Sequence, residues 1–277
     1  MKLSKANRAI FIIVSVVCGL YALTLIFPLL YTFVNSFKTN GEFIVNVWAF
    51  PKHFNFDNYI AAFEENNILM MFFNTIFLTV CGTFLSMLSA SIMAYILSKY
   101  RFIGSGLIFT LAIAFMVIPN LGTVASTYKL MSTLKLIDSL PGLLILYMGP
   151  FGSTFLLLYS YFKGISWSYA EAAKIDGAGN FTVFFRIMLP QARAGICAVG
   201  FMVAIGVWND YFTPFMYLPS MYTLATGLQD LSTQATTTGA YTQLFAAVIV
   251  ATLPLLIIFG FLQKTIMENT IAGGLKG

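Results

Sequence analysis

Ser168-Tyr169-Ala170-Glu171-Ala172-Ala173-Lys174-Ile175-Asp176-Gly177-Ala178, running on to Leu189-Pro190, is a polar interruption in an apolar chain. Ser168 stands three residues before Glu171. At that spacing the two side chains satisfy orphan backbone N–H groups at a helix start. The stretch therefore predicts a short helix over 169–176, with Glu171 in the first turn, where the helix dipole favours an anion. Gly177 is placed to stop that helix in the left-handed conformation. Asn180 is placed to cap a second helix over 181–188, which Pro190 closes. The expected product is a helix–glycine–helix elbow over 168–190. Ala172, Ala173 and Ala178 are expected on its outward side, where small side chains let another protein's backbone come close.

Around this elbow the chain reads as membrane-embedded. Of its 277 residues, 59% are hydrophobic and 9% charged, and the mean hydropathy is +0.85. A soluble domain carries about a quarter charged residues. Apolar runs predict an all-α protein of six spans, at about 9–34, 68–97, 105–122, 142–162, 194–215 and 241–262. Residues 1–8 precede them and 263–277 follow as a tail, and the elbow falls between spans 4 and 5. Gly149-Pro150 is a candidate kink, Pro28 is a kink or equally a simple span-exit proline, and Pro254 lies inside span 6. The first run is longer than the roughly 7–15 residues of a signal h-region and lacks a small-residue cleavage site, so it reads as an uncleaved span. Residues 35–67 form the longest polar stretch, expected to lie along the membrane surface through Phe54, Phe56, Tyr59, Ile60 and Phe63. Segments 123–139 and 218–240 are expected outside.

The basic residues orient this topology. Eleven of fifteen fall inside: Lys2, Lys5, Arg8, Lys99, Arg101, Lys163, Lys174, Arg186, Arg193, Lys264 and Lys276. Lys38, Lys52, Lys129 and Lys135 fall outside. That bias predicts both termini and the elbow in the cytoplasm. The same bias accounts for the net charge of +5 without a nucleic-acid partner.

Several chemistries are excluded. No Gly-x-x-x-x-Gly-Lys-Ser/Thr phosphate loop occurs, nor His-Glu-x-x-His, nor Gly-x-Ser-x-Gly. His53 is the only histidine and reads as a solvated loop residue. Cys18, Cys81 and Cys197 each sit in an apolar stretch, with no spacing for a metal site or disulfide framework. No catalytic residue and no metal site is expected. Missing intramembrane charge counts against a proton- or sodium-coupled carrier. The exception is Trp208-Asn209-Asp210-Tyr211, in the outer half of span 5. Its rings could stack on a sugar while its amide and carboxylate bind hydroxyls. It could equally be an interfacial aromatic belt with a capping aspartate.

Glu171-Ala172-Ala173, then Asp176-Gly177-Ala178, Phe184, Ile187 and Leu189-Pro190 resemble the cytoplasmic coupling motif of ABC importer permeases. Further positions resemble the maltose-type, carbohydrate-uptake branch of that family. These are Phe27-Pro28 with Ser36-Phe37-Lys38, Trp208-Asn209-Asp210-Tyr211, Tyr222-Thr223-Leu224 with Gly227-Leu228-Gln229, and Gly273-Gly274-Leu275-Lys276-Gly277. One departure is Ala194, where the family usually carries a second proline; the following helix is then expected to start earlier or bend less.

The resemblance implies a type I importer permease fold, with the elbow as coupling helix. Glu171, Ala172, Ala173, Asp176, Gly177, Ala178 and Pro190 would contact the ATPase, and Trp208 to Tyr211 would line the solute path. It implies a second, homologous permease, two ATP-binding subunits that hold the ATP and magnesium, an extracytoplasmic solute-binding protein, and a bacterial or archaeal cytoplasmic membrane. The subunit itself would hydrolyse nothing and hold no cofactor. Alternatives are an importer of a glycerol-phosphate compound or peptide, or a stand-alone secondary carrier.

Overall fold

The computed structural model describes residues 5–64, 67–117 and 122–274. Among these residues the regular structure is helical throughout. Among the described residues three helices are, taken singly, long and apolar enough to cross a membrane. They are α1 (Lys5–Asn35), α4 (Ile68–Lys99) and α15 (Tyr241–Gly274). They match the first, second and last expected spans, because a lipid core demands long uninterrupted runs whose backbone groups are satisfied within the helix. Pro28 and Pro254 lie inside α1 and α15 without ending them. The helix of α15 also runs on through most of the expected tail.

The middle spans are less regular than expected. α5 (Ser105–Val117) accounts for the start of span 3; Pro119-Asn120 lies outside the described residues. The run expected as span 4 is two helices, α7 (Leu140–Tyr147) and α8 (Ser153–Gly164). The Gly149-Pro150 pair breaks the run rather than kinking it, and Gly152 sits at φ +128°, a conformation natural only to glycine. The run expected as span 5 is α12 (Arg193–Asn209), followed after a break at Asp210 by α13 (Phe212–Tyr217). The expected outside segments are helical as well, in α6 (Val124–Thr133) and α14 (Leu224–Thr238).

The chain divides into two compact units. One comprises Met1–Leu69 and Leu228–Pro254. Its polar stretch is a folded joint built on α2 (Asn40–Val45) and α3 (Asp57–Glu64). Thr39 and Glu42 exchange hydrogen bonds as a capping box at the start of α2, both at 3.2 Å. Lys38, counted among the outside basic residues, is 1% exposed. Its Nζ donates to the carbonyls of Asn46 and Val47, both at 3.2 Å, at the C-terminal end of α2. A cation is favoured there by the helix dipole. Burial pushes its pKa below the ordinary value, and nearby Glu42 opposes that shift. Asn58 Nδ2 donates to the carbonyls of Ser36 and Lys38 at 2.7 and 2.8 Å. The Thr242 hydroxyl lies 2.8 Å from Asn40 Oδ1 and 3.1 Å from Asn58 Oδ1. This knot ties the exit of α1 to the start of α15. His53 is exposed, as expected of a loop residue.

The other unit comprises Met70–Gly227 and Leu255–Gly277. Its core gathers Phe155, Leu158 and Phe162 of α8 with Tyr95 of α4, Val199 of α12 and the elbow residues Val183 and Met188. A Cβ at Gly195 would fall 2.4 Å from the Tyr161 ring, so α12 approaches α8 at a distance only glycine permits. Thr75 of α4 accepts the N–H of Leu224 at 2.8 Å, and Asn74 donates to the Tyr222 carbonyl at 2.8 Å. These bonds seat the start of α14 on α4.

Candidate functional site: an elbow and a cleft

The elbow forms, with its caps placed differently from the expectation. Its first arm is α9 (Ser168–Ile175). Trp167 is the N-cap residue and makes no side-chain cap bond. Ser168 is already the first helical residue, and its hydroxyl meets that of Ser166 at 2.8 Å. The expected Ser168–Glu171 capping box is therefore absent, because the helix starts one residue before the register that box needs. Glu171 still lies in the first turn, where it complements the dipole.

The C-terminal stop matches the expectation. Gly177 has φ +83°. The Ala178 N–H donates to Ala173 O at 2.9 Å and the Gly177 N–H to Lys174 O at 3.0 Å. This pair of bonds is a complete Schellman motif. No atom lies within 4 Å of where a Gly177 Cβ would sit, so backbone conformation alone selects glycine here.

The second arm runs without a break through α10 (Asn180–Thr182), a π-helical turn (Val183–Met188) and α11 (Leu189–Gln191). Gly179, not Asn180, is the N-cap residue. Pro190 does not close the arm; it lies in the first turn of α11. A proline ring clashes with the carbonyl four residues back in an α-helix. The wider π-turn just before it relieves that clash, and the Leu189 N–H reaches Phe184 O instead. The chain then bends by 80° into α12. That helix starts at Arg193, one residue before Ala194.

The two arms close over small residues. Ala173 is buried with Ala170 against Val183, Phe184 and Met188, so it faces inward rather than outward as expected. Ala172 is exposed and Ala178 half-buried. The outward face instead presents Ile175 and Phe181, 86% and 83% exposed. Neither is singled out by the sequence reasoning above. Their signal is two large apolar side chains flanking the turn of a polar segment. Beside Phe181 opens an apolar cleft of about 560 Å³, lined by Ile96, Tyr100, Phe184 and Phe185, with Arg101 in its wall.

Of Trp208-Asn209-Asp210-Tyr211, the structure brings one residue to a cavity. A cleft of about 600 Å³ is lined by Asp210 with Tyr147, Ser86, Ser153, Gly206 and Val207. Tyr147 OH donates to Asp210 Oδ2 at 3.0 Å, and Asp210 Oδ1 accepts the Thr213 N–H at 3.0 Å. The carboxylate thus caps the first turn of α13 and fixes Tyr147, whose ring lies on Gly82. Trp208 is buried edge-on against Phe72, at 5.8 Å between ring centres. Asn209 is exposed and bonds back to Ile205 O at 2.9 Å, and Tyr211 is exposed beside Phe212. Tyr147, Ser86 and Ser153 come from other helices, so no local pattern announces them. Among the described residues no three His, Cys, Asp or Glu side chains gather as a metal site would require.

Known proteins resemble this chain over most of its length. The family described as binding-protein-dependent transport system inner membrane component matches residues 82–268. The chain is 30% identical to the diacetylchitobiose uptake system permease protein NgcG of Streptomyces coelicolor, over 92% of this chain and 85% of that one. It is 31% identical to the arabinooligosaccharides transport system permease protein AraQ of Bacillus subtilis, over 92% of each. A solved bacterial ABC transporter involved in import of the acidic polysaccharide alginate contains a chain with TM-score 0.79 and 25% identity. The match covers 95% of this chain and 99% of that one.

Proposed function

The chain belongs to the binding-protein-dependent transport inner membrane component family, and from that membership we propose that it is the permease subunit of an ATP-driven importer of a sugar or oligosaccharide. The sugar assignment follows its relatives, which include diacetylchitobiose and arabinooligosaccharide permeases. The subunit spans the membrane six times over 9–262, with the broken helices of spans 4 and 5 each counting as one crossing. Residues 1–8, the elbow and 263–277 are cytoplasmic. A homologous permease completes the pore, two ATP-binding subunits hold the ATP and magnesium, and an extracytoplasmic binding protein delivers the solute. This chain catalyses no reaction.

The observation that carries the coupling role is the elbow. It is a pair of short helices with its own C-terminal stop satisfied, a tight interior, and Ile175 and Phe181 the barest of its large apolar side chains. Isolated exposed apolar residues are ordinary, but two flanking one turn on a polar segment suit a partner's groove. We assign Ile175, Phe181, Glu171, Ala172 and Gly177 to contact with, or shaping of, that partner surface. ATP-driven closure of the partner subunits would push the elbow, and the spans would rock around the cleft that holds Asp210 and Tyr147. Asp210, Asn209 and Tyr211 border the solute path in this scheme, and Trp208 supports it from behind.

Two experiments test this reading. A cysteine at Lys174 should react with an impermeant thiol reagent only from the cytoplasmic side, and one at Asp57 only from outside; the reverse overturns the orientation. In the purified assembly, Phe181→Asp and Glu171→Lys should abolish hydrolysis stimulated by binding protein and solute, or detach the ATPases. Full stimulation in both removes the coupling role.

A further inference from the structure

The elbow has two covalent attachments, through residues 165–167 to α8 and through Ala192 to α12. It has a third attachment that is not covalent. Lys99, the last residue of α4, donates from Nζ to the carbonyl of Ile165 and, at 3.5 Å, to that of Lys163. These are carbonyls at the end of α8, which lack partners within the helix and sit at its negative pole. Tyr100 follows, its ring edge-on to Trp167 at 5.4 Å. Lys174 of α9 lies over both rings, 5.3 Å from the centre of Trp167 and 5.5 Å from that of Tyr100. A cation above an aromatic face is attracted by the ring's quadrupole, and here one cation bridges two rings from different elements. One turn back, Tyr95 meets Tyr100 OH to OH at 3.2 Å and packs on Phe184 of the second arm at 4.9 Å. The end of α4 thus grips the end of α8, the start of α9 and the π-turn together.

We propose that Lys99 and Tyr100 are positioning residues for coupling, making the inner end of α4 a second lever that carries the elbow's displacement into the membrane. Resting on the coupling reading above, this adds a route through α4: Lys99 braces the first hinge, and Lys174 on Tyr100 and Phe184 on Tyr95 join α4 to the elbow arms directly. A hinge that bends absorbs motion. A cation clamp to a 32-residue helix transmits it, because α4 has no break along its length.

The test uses the complete assembly in proteoliposomes, with binding protein and solute, and measures uptake and ATP hydrolysis in the same preparation. Lys99→Met and Tyr100→Leu should keep the ATPases attached and hydrolysis within about twofold of the parent. Solute carried per ATP should fall by about fivefold or more, the lower end of a typical coupling energy. Lys99→Arg and Tyr100→Phe, which keep the cation and the ring, should restore the ratio. An unchanged ratio in both disruptive variants overturns the lever. So does loss of subunits, since that would make the contact merely structural. Phe181→Asp, run in parallel, separates the two ideas. If it uncouples while Lys99→Met and Tyr100→Leu do not, the elbow reading stands and the lever falls. If it has no effect, the elbow reading falls first.

Discussion

Residues 35–64 and 168–191 are both polar stretches between apolar helices, both expose large apolar side chains, and they differ in what they enclose. The first encloses part of its polarity in a knot, while Trp48, Phe50 and Phe54 stay exposed around it. Lys38, Asn58 and Thr242 are enclosed, and the knot between them satisfies the carbonyls of Ser36, Lys38, Asn46 and Val47. The second buries its alanines and exposes Ile175 and Phe181. The difference separates two uses of a polar segment. Apart from Asn35 Oδ1 the buried side-chain polar groups of the first stretch are partnered, and such groups fix one conformation, since each lost partner leaves an unpaired group at a cost of about 1–3 kcal/mol. Exposed apolar groups on a backbone that is already satisfied do nothing for the isolated chain, and their value appears only when something covers them. The knot should therefore answer to stability measurements and the elbow to coupling measurements.

The sharpest challenge to that division is Asn58→Leu. It strips the donors from two buried carbonyls and one acceptor from Thr242. The expected loss is about 3 kcal/mol or more, read as a lower thermal unfolding midpoint in detergent, with the surviving protein coupling normally. A variant that uncouples at full stability would break the comparison.

Gly177→Val probes the other side. A β-branched residue at φ +83° costs about 1–2 kcal/mol locally and tilts the elbow. Uptake and stimulated hydrolysis should fall together, while the unfolding midpoint moves less than for Asn58→Leu. Gly177→Asn, which tolerates that conformation better, should fall between Gly177→Val and the parent.

The cleft lies between the extremes, a carboxylate with two donors that still borders open space. Asp210→Asn keeps the acceptor for Thr213 and loses the charge. About 1 kcal/mol of stability should go with it, since a charged hydrogen bond becomes neutral. The clearer readout is uptake, where the half-saturating solute concentration should rise. Unchanged uptake in both Asp210→Asn and Trp208→Ala would leave the motif a structural cap and belt.

The smallest effect concerns pH. Burial lowers the Lys38 pKa below its ordinary 10.5, so the folded state disfavours the charged form. The penalty is present in full below the folded pKa and is relieved as pH rises from there towards 10.5. The unfolding midpoint of the parent should therefore hold up better across that window than that of Lys38→Met, which cannot titrate and leaves the Asn46 and Val47 carbonyls unpaired. Equal slopes would place the Lys38 ammonium in contact with water.

The features legible in the sequence are those that hydropathy and local stops control. α4 and α15 begin where the apolar runs begin, α1 contains the whole first run, and Gly177 takes its left-handed turn. Sequence misleads wherever a residue's meaning depends on register or on a distant neighbour. The Ser/Thr-x-x-Glu spacing occurs at Thr39–Glu42 and at Ser168–Glu171, yet only the first becomes a capping box. Spacing does not say where a helix begins. Lys38 reads only as an outside charge because nothing local announces the two carbonyls that receive it. Tyr147 reaches Asp210 across 63 positions, beyond any window of pattern reading. Pro190 reads as a terminator, and the π-turn that accommodates it has no sequence signature of its own.

That π-turn also sets the angular phase of everything after it. In an α-helix each residue advances the chain by about 100°, and a π-turn amounts to one extra residue held within the same winding. With Pro190 replaced as well, so that its ring no longer needs the wider turn, deleting a single residue from 183–188 would leave an uninterrupted α-helix. Every later side chain would then be indexed about 100° round the axis, and the corner at Ala192 would launch α12 in a different direction. The bulge is thus a clocking element. A permease that gained or lost it would keep its helices and lose their aim.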